Sequence, residues 1–219
     1  YTLLDDQCQL MTSSVIQQLC TQNGIFDLVL VMDGSGSVNN ADYIKGVEFF
    51  ENLVAQLDIG ILKTKISIFQ FSSGVEQYGD NFEYIRSDVE ASLNSMKNDQ
   101  MNGATYTDEA IEKVYENIRD YGRGGDVPKI VIIMTDGEST NGLILDINCN
   151  WLGFSCDDYP AYNYFHENGI TAYAIGVGNG VNTNELNLIA TDPDNEHVFA
   201  EASYTALDSI YLAITNKVC

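Results

Sequence analysis

Phe26-Asp27-Leu28-Val29-Leu30-Val31-Met32 is a near-continuous apolar run that stops at Asp33-Gly34-Ser35-Gly36-Ser37. A run that does not alternate with polar residues suits a strand covered on both faces. Ile130–Met134 repeats the pattern and stops at Thr135-Asp136-Gly137, and Thr171–Val177 is a third such run. Helical spacing separates them: Ile44, Val47, Phe50, Val54 and Leu57 share one face, and Ile111, Val114, Tyr115 and Ile118 share another within a helix predicted from about Thr107 to Tyr121. Lys65–Phe71 reads as a further strand with a short hairpin partner at Val75–Tyr78, and His197–Ala200 as a short edge strand. Ser87-x-x-Glu90 reads as a capping box, and Thr205-x-x-Asp208 caps a last helix over Thr205–Lys217. Strands alternating with helices predict an α/β fold: a doubly wound, mostly parallel sheet with one short antiparallel edge strand and helices on both faces. Residues 1–24 read as an N-terminal extension with a short amphipathic stretch (Leu10, Val15, Ile16, Leu19), and 25–219 as one domain.

Composition narrows the partners. Of 219 residues, 32 are acidic and 10 basic, a formal charge of −22. That balance argues against nucleic acid, which needs a basic footprint, and against an anionic membrane surface. It suits cations, a basic partner or simple solubility. No stretch reaches 18 residues without polar interruption, so direct membrane insertion is not expected. With 13 Tyr and 9 Phe the chain is too aromatic to be an acidic disordered segment. It opens at Tyr1 rather than Met, so a removed leader or a trimmed terminus is expected.

Five cysteines (Cys8, Cys20, Cys149, Cys156 and Cys219) contain no CxxC pair, and the two histidines, His166 and His197, lie far from most of them, which disfavours zinc. Two expected disulfides are Cys149–Cys156, closing a short loop, and a terminal clasp such as Cys20–Cys219 or Cys8–Cys219; the competing reading is five buried thiols. An oxidising, secreted or cell-surface location follows from the first, with one odd cysteine free or joined to another chain. No Asn-x-Ser/Thr sequon adds support for secretion.

The chemistry gathers at the strand ends. In doubly wound sheets ligands bind outside the carboxyl ends of the strands at the switch point. Asp33 and Asp136 both end buried strands. The glycines of Asp33-Gly34-Ser35-Gly36-Ser37 let the chain fold back so that Asp33, Ser35 and Ser37 aim oxygens at one point, and Asn102-Gly103-Ala104-Thr105-Tyr106-Thr107 brings in a threonine hydroxyl. An all-oxygen set with two carboxylates favours Mg²⁺ or Mn²⁺, and Ca²⁺ less tightly. Mostly neutral direct ligands leave the ion electrophilic and open to an outside carboxylate. The plainer readings are a tight turn at Asp33–Ser37 and a capping box at Thr105-x-x-Asp108.

Asp33-x-Ser35-x-Ser37, Thr105 and Thr135-Asp136-Gly137-Glu138, in that order over roughly residues 26–218, resemble the motif of von Willebrand factor type A domains, the family of integrin inserted domains, matrilins and apicomplexan surface adhesins. The resemblance implies a Rossmann-like fold and a metal-ion-dependent adhesion site. Ser35, Ser37 and Thr105 would be direct ligands, Asp33 and Asp136 would act directly or through water, and an Asp or Glu of a protein ligand would complete the sphere. The family often has two glycines before the threonine, where this chain has Asn102-Gly103-Ala104.

Glu138, Tyr106, Trp151 and Phe154 are the expected ligand contacts. The last two lie in the long 136–170 segment with the Cys149/Cys156 pair, which the strand order places on the metal face; the competing reading is a packing insert with Trp151 buried. Other chemistries fail. Gly176-x-Gly178-x-Gly180 lacks the dinucleotide spacing, no phosphate loop or GxSxG elbow occurs, Asp192–Glu196 is not an EF-hand, and neither histidine stands beside a nucleophile. The expectation is therefore an extracellular adhesion module and not an enzyme. The alternative is a structural matrix or thread component assembling through disulfides and domain contacts.

Overall fold

The structure is a computed structural model. It describes residues 25–135, 139–140, 164–177 and 181–201. Strand β1 (Asp27–Asp33) is buried at all seven positions. Its Leu28, Leu30 and Met32 enter one core layer and Val29 and Val31 the other. Helix α1 (Asn40–Gln56) follows, then β2 (Lys65–Phe71), β3 (Val75–Glu83), α2 (Arg86–Lys97), α3 (Thr107–Tyr121) and β4 (Lys129–Thr135). Next come β5 (Ile170–Val177), α4 (Thr183–Ile189), a single turn α5 (Asp194–His197) and β6 (Val198–Glu201).

The six strands lie in the order β3-β2-β1-β4-β5-β6, all parallel except β3. β1 is flanked by β2 on one side and β4 on the other, so the winding reverses there. The carboxyl ends of β1 and β4 frame the switch point. α1 and α2 pack on one face with Leu30, Ile132 and Ile175; α3 and α4 pack on the other with Val31, Ile133 and Ala174. This is the doubly wound architecture that the apolar runs predict.

Several local expectations are corrected. α1 buries Tyr43, Val47, Phe49, Phe50, Leu53 and Val54, while Ile44 and Leu57 only border the core. The stripe is turned because Gly46 rides directly over Met32 and Met134, and the buried Tyr43 hydroxyl donates to the Met96 carbonyl at 2.7 Å. The Ser87–Glu90 capping box is not formed. α2 starts two residues earlier, with Ile85 as its N-cap, Ser87 Oγ donates to Asp88 Oδ1, and Arg86 reaches back to the Val54 and Leu57 carbonyls, ending α1 instead of starting α2. The Thr105–Asp108 box is absent too: Tyr106 is the N-cap of α3 and makes no side-chain cap. β3 is nine residues long, not four, because its pairing with β2 shifts register and continues past Gly79 (φ 76°) to Phe82 (φ 51°), whose N–H donates to Ser67 Oγ. α4 and α5 were not foreseen. Residues 1–24, the last helix, and both expected cysteine pairs lie outside the described residues.

At the opposite end of the sheet from the switch point, Asp27 is buried and bracketed by cations. It accepts from the Arg123 N–H and Nε, each at 2.7 Å, and lies 3.3 Å from Lys129 Nζ. Arg123 also donates to the Phe26 carbonyl, so β1, β4 and the end of α3 are tied at one carboxylate. Removing that carboxylate leaves two largely covered cations without their partner. Asp27→Ala is expected to lower unfolding free energy by about 3 kcal/mol, read from urea denaturation, with no loss of cation response at the far end of the sheet.

Candidate metal site

The first loop is held from below. Gly34 N–H donates to the Phe71 carbonyl at 2.8 Å, so the chain leaving β1 is pinned to the end of β2. Gly34 has no room for a side chain, since a Cβ would run into the Gln70 amide. Asp33 is fully buried: its Oδ1 takes the Ser35 N–H at 2.8 Å and its Oδ2 takes the Thr135 hydroxyl at 2.7 Å. Burial pushes the Asp33 carboxyl up from its ordinary range, against the pull of the Ser35 and Thr135 hydrogen bonds. Ser35 is buried and Ser37 exposed, and their hydroxyl oxygens meet at 2.9 Å.

The second loop is zipped to the first. Asn102 N–H donates to the Gly34 carbonyl at 2.8 Å and Gly36 N–H donates to the Gly103 carbonyl at 2.9 Å. Gly103 N–H bonds Ser72 Oγ and Ala104 N–H bonds Ser73 Oγ, so Ala104 does not prevent the loop from closing. Thr105 is buried. Both its backbone groups go to the chain beyond β4: its N–H donates to Thr140 Oγ1 at 3.1 Å, and its carbonyl accepts the Thr140 N–H at 2.7 Å and the Ser139 hydroxyl at 3.2 Å.

Asp33, Ser35, Ser37 and Thr105 thus come together on two loops bonded to each other at the carboxyl ends of β1 and β2. Tyr106 lies partly buried beside them, its N–H on the Ser72 carbonyl. Asp136, Glu138, Trp151 and Phe154 lie outside the described residues. Among the described residues no group of three or more His, Cys, Asp or Glu side chains gathers as a metal cluster. The donors here are instead one carboxylate and hydroxyls, a hard-oxygen set that fits a Mg²⁺-class ion.

Two residues of the scaffold escaped the sequence reading. Gln70 is fully buried on β2: its Oε1 accepts the Met101 N–H at 2.8 Å, and its Nε2 donates to the Asp99 carbonyl at 2.8 Å and to the Tyr78 hydroxyl at 2.9 Å. Glu185, on α4, is the second. A polar residue inside a strand run was the only sign of Gln70, and nothing in the local sequence marks Glu185.

Residues 27–213 match the family model of the von Willebrand factor type A domain, and the chain belongs to that family. Integrin alpha-X of Homo sapiens is 31% identical over 88% of this chain, and Matrilin-2 of Mus musculus is 28% identical over 94%. The chain spans only 16% and 20% of the length of those two relatives. Among solved structures, proximal thread matrix protein 1 from the mussel byssus is 25% identical with a TM-score of 0.73, over 90% of this chain and 47% of that one. The same protein, solved with a zinc-occupied MIDAS motif, gives a TM-score of 0.72 at 25% identity, over 90% of this chain and 48% of that one. The relatives are proteins of the extracellular matrix and cell surface, not enzymes, and the extracellular setting expected for this chain agrees with theirs. Among the described residues no helix is long and apolar enough to cross a membrane.

Gln70→Leu leaves the half-buried Met101 N–H and the Asp99 carbonyl without their Gln70 partner, at a cost of about 1–3 kcal/mol. The expected result is a lower thermal midpoint with faster amide exchange across residues 99–103.

Proposed function

We propose that this domain is an extracellular adhesion module. It holds one divalent cation through Asp33, Ser35, Ser37, Thr105 and Asp136 and engages an acidic side chain of a matrix or cell-surface protein through that ion. The observation that carries the reading is a contrast within β1. Asp27 and Asp33 are both buried, yet Asp27 has Arg123 and Lys129 whereas among the described residues no lysine or arginine pairs with Asp33. A buried carboxylate must be met by hydrogen bonds, by protonation or by a cation, and Asp33, unlike Asp27, stands at the ligand-binding end of the sheet among hydroxyl oxygens. The Ser35 and Ser37 hydroxyl oxygens, 2.9 Å apart on the loop that Asp33 holds through the Ser35 N–H, support the cation reading.

When bound, a Mg²⁺-class ion supplies Lewis acidity toward an outside carboxylate. The chain's own part is positional. Asp33, through its bonds to the Ser35 N–H and Thr135, holds the first loop to the end of β4, and the backbone zip at Asn102 and Gly103 holds the Thr105 loop beside it. The mussel neighbour with zinc in its MIDAS motif supports a divalent ion without choosing among Mg²⁺, Mn²⁺ and Ca²⁺. A structural reading, a matrix or thread component, draws on the likeness to the mussel thread protein and the matrilins.

Thermal melts in EDTA and in millimolar Mg²⁺ or Mn²⁺ test the cation. Metal at a hundredfold excess over Kd adds about 2.7 kcal/mol, a midpoint rise of roughly 5–10 °C for a domain of this size. Native protein should show the rise and Asp33→Ala should not. Equal midpoints for native protein with and without metal would move the structural reading ahead. The adhesive half is checked by surface binding to matrix proteins, where signal in Mn²⁺ must vanish in EDTA.

A further inference from the structure

Behind the site lies a closed ring of hydrogen bonds that begins and ends on Glu185. Its carboxylate is buried, with 4% of its surface exposed. Both oxygens accept the Ser139 N–H, at 2.8 and 3.1 Å, and Oε1 accepts the Thr107 hydroxyl at 3.3 Å. Ser139 Oγ in turn donates to the Thr105 carbonyl, and Thr140 holds the Thr105 carbonyl and N–H together. Thr107 opens α3 two residues after Thr105 and returns the path to Glu185. One side chain on α4 therefore clamps the loop between α2 and α3 to the chain that follows β4.

We infer that Glu185 is a positioning residue for the cation site: through Ser139 and Thr107 it sets where Thr105 presents its hydroxyl. The inference rests on the metal reading proposed above and goes further, because Glu185 is not itself among the residues expected to touch the ion. A buried carboxylate is expensive unless every oxygen is satisfied. Here hydrogen bonds from Ser139 and Thr107 bring to it the two loops that must stay in register. Partners that orient ligands in this way commonly change metal affinity by about 10–100-fold when removed.

The two obvious substitutions separate positioning from bulk stability. Glu185→Ala deletes both links. Glu185→Gln keeps an oxygen for the Ser139 N–H and turns an N–H toward the Thr107 hydroxyl, which can accept as well as donate. Mn²⁺ affinity of the full chain is read by electron paramagnetic resonance at 25 °C, with circular dichroism confirming the fold. Amide exchange at Ser139 and Thr105 is followed separately in EDTA. The expected result is Mn²⁺ binding weakened about tenfold or more in Glu185→Ala, restored to within a few fold in Glu185→Gln, and exchange at Ser139 and Thr105 faster in Glu185→Ala even without metal. Should Glu185→Ala not fold, the near-isosteric Thr107→Val cuts the same ring at one bond and is expected to weaken Mn²⁺ binding several-fold.

Native protein that binds Mn²⁺ beside a folded Glu185→Ala, or Thr107→Val in its place, of unchanged affinity would overturn the role of Glu185 and leave the metal reading intact. Native protein that fails to bind Mn²⁺ would overturn both. A lower melting point with unchanged affinity would mark Glu185 as structural only.

Discussion

A carboxylate withdrawn from water at the end of a central strand is the constraint around which the top of this domain is organised. Asp33 is held by a backbone N–H and a hydroxyl, and burial raises its hold on a proton. Everything nearby answers to that group. Gly34 turns the chain without a side chain to spare, β2 supplies the carbonyl that pins the turn, and Thr135 at the end of β4 covers the second oxygen. The parallel pairing of β1 with β4 is what brings Thr135 to Asp33, although 102 residues separate them.

The same strand offers a comparison of solutions. At its amino end, Asp27 is neutralised by groups the chain carries itself, so that end is a fastening. At its carboxyl end the neighbours are hydroxyls and N–H groups, which orient a charge without cancelling it. One strand thus has an end with its own cations and an end where, among the described residues, hydrogen-bond donors alone meet the buried carboxylate.

What was legible in the sequence follows from how far each signal reaches. β1, β4 and β5 are covered on both faces, which forces unbroken apolar runs, and α3 is amphipathic enough that its bounds fell where expected. The first loop was legible because Asp33, Ser35 and Ser37 are neighbours in sequence. Gln70 and Glu185 were not, because each acts on backbone groups 29 to 46 residues away and carries no local pattern. Local motifs misled for the same reason: Ser87 and Glu90 have the spacing of a cap, but Arg86 is committed to carbonyls of another helix. The length of β3 was hidden because the strand pattern at Val75–Tyr78 breaks at Gly79, which the backbone absorbs as an irregularity in a continuing strand.

That irregularity has a consequence for how the domain lives among copies of itself. β3 is an outer strand, and an outer strand of nine residues is a template on which another chain could grow. Here the pairing register breaks, two residues leave ordinary strand geometry, and Glu76, Asp80 and Asn81 face solvent. The sheet is finished at that border by shape and by charge. Crowded side by side, such domains are steered away from merging through their sheet edges.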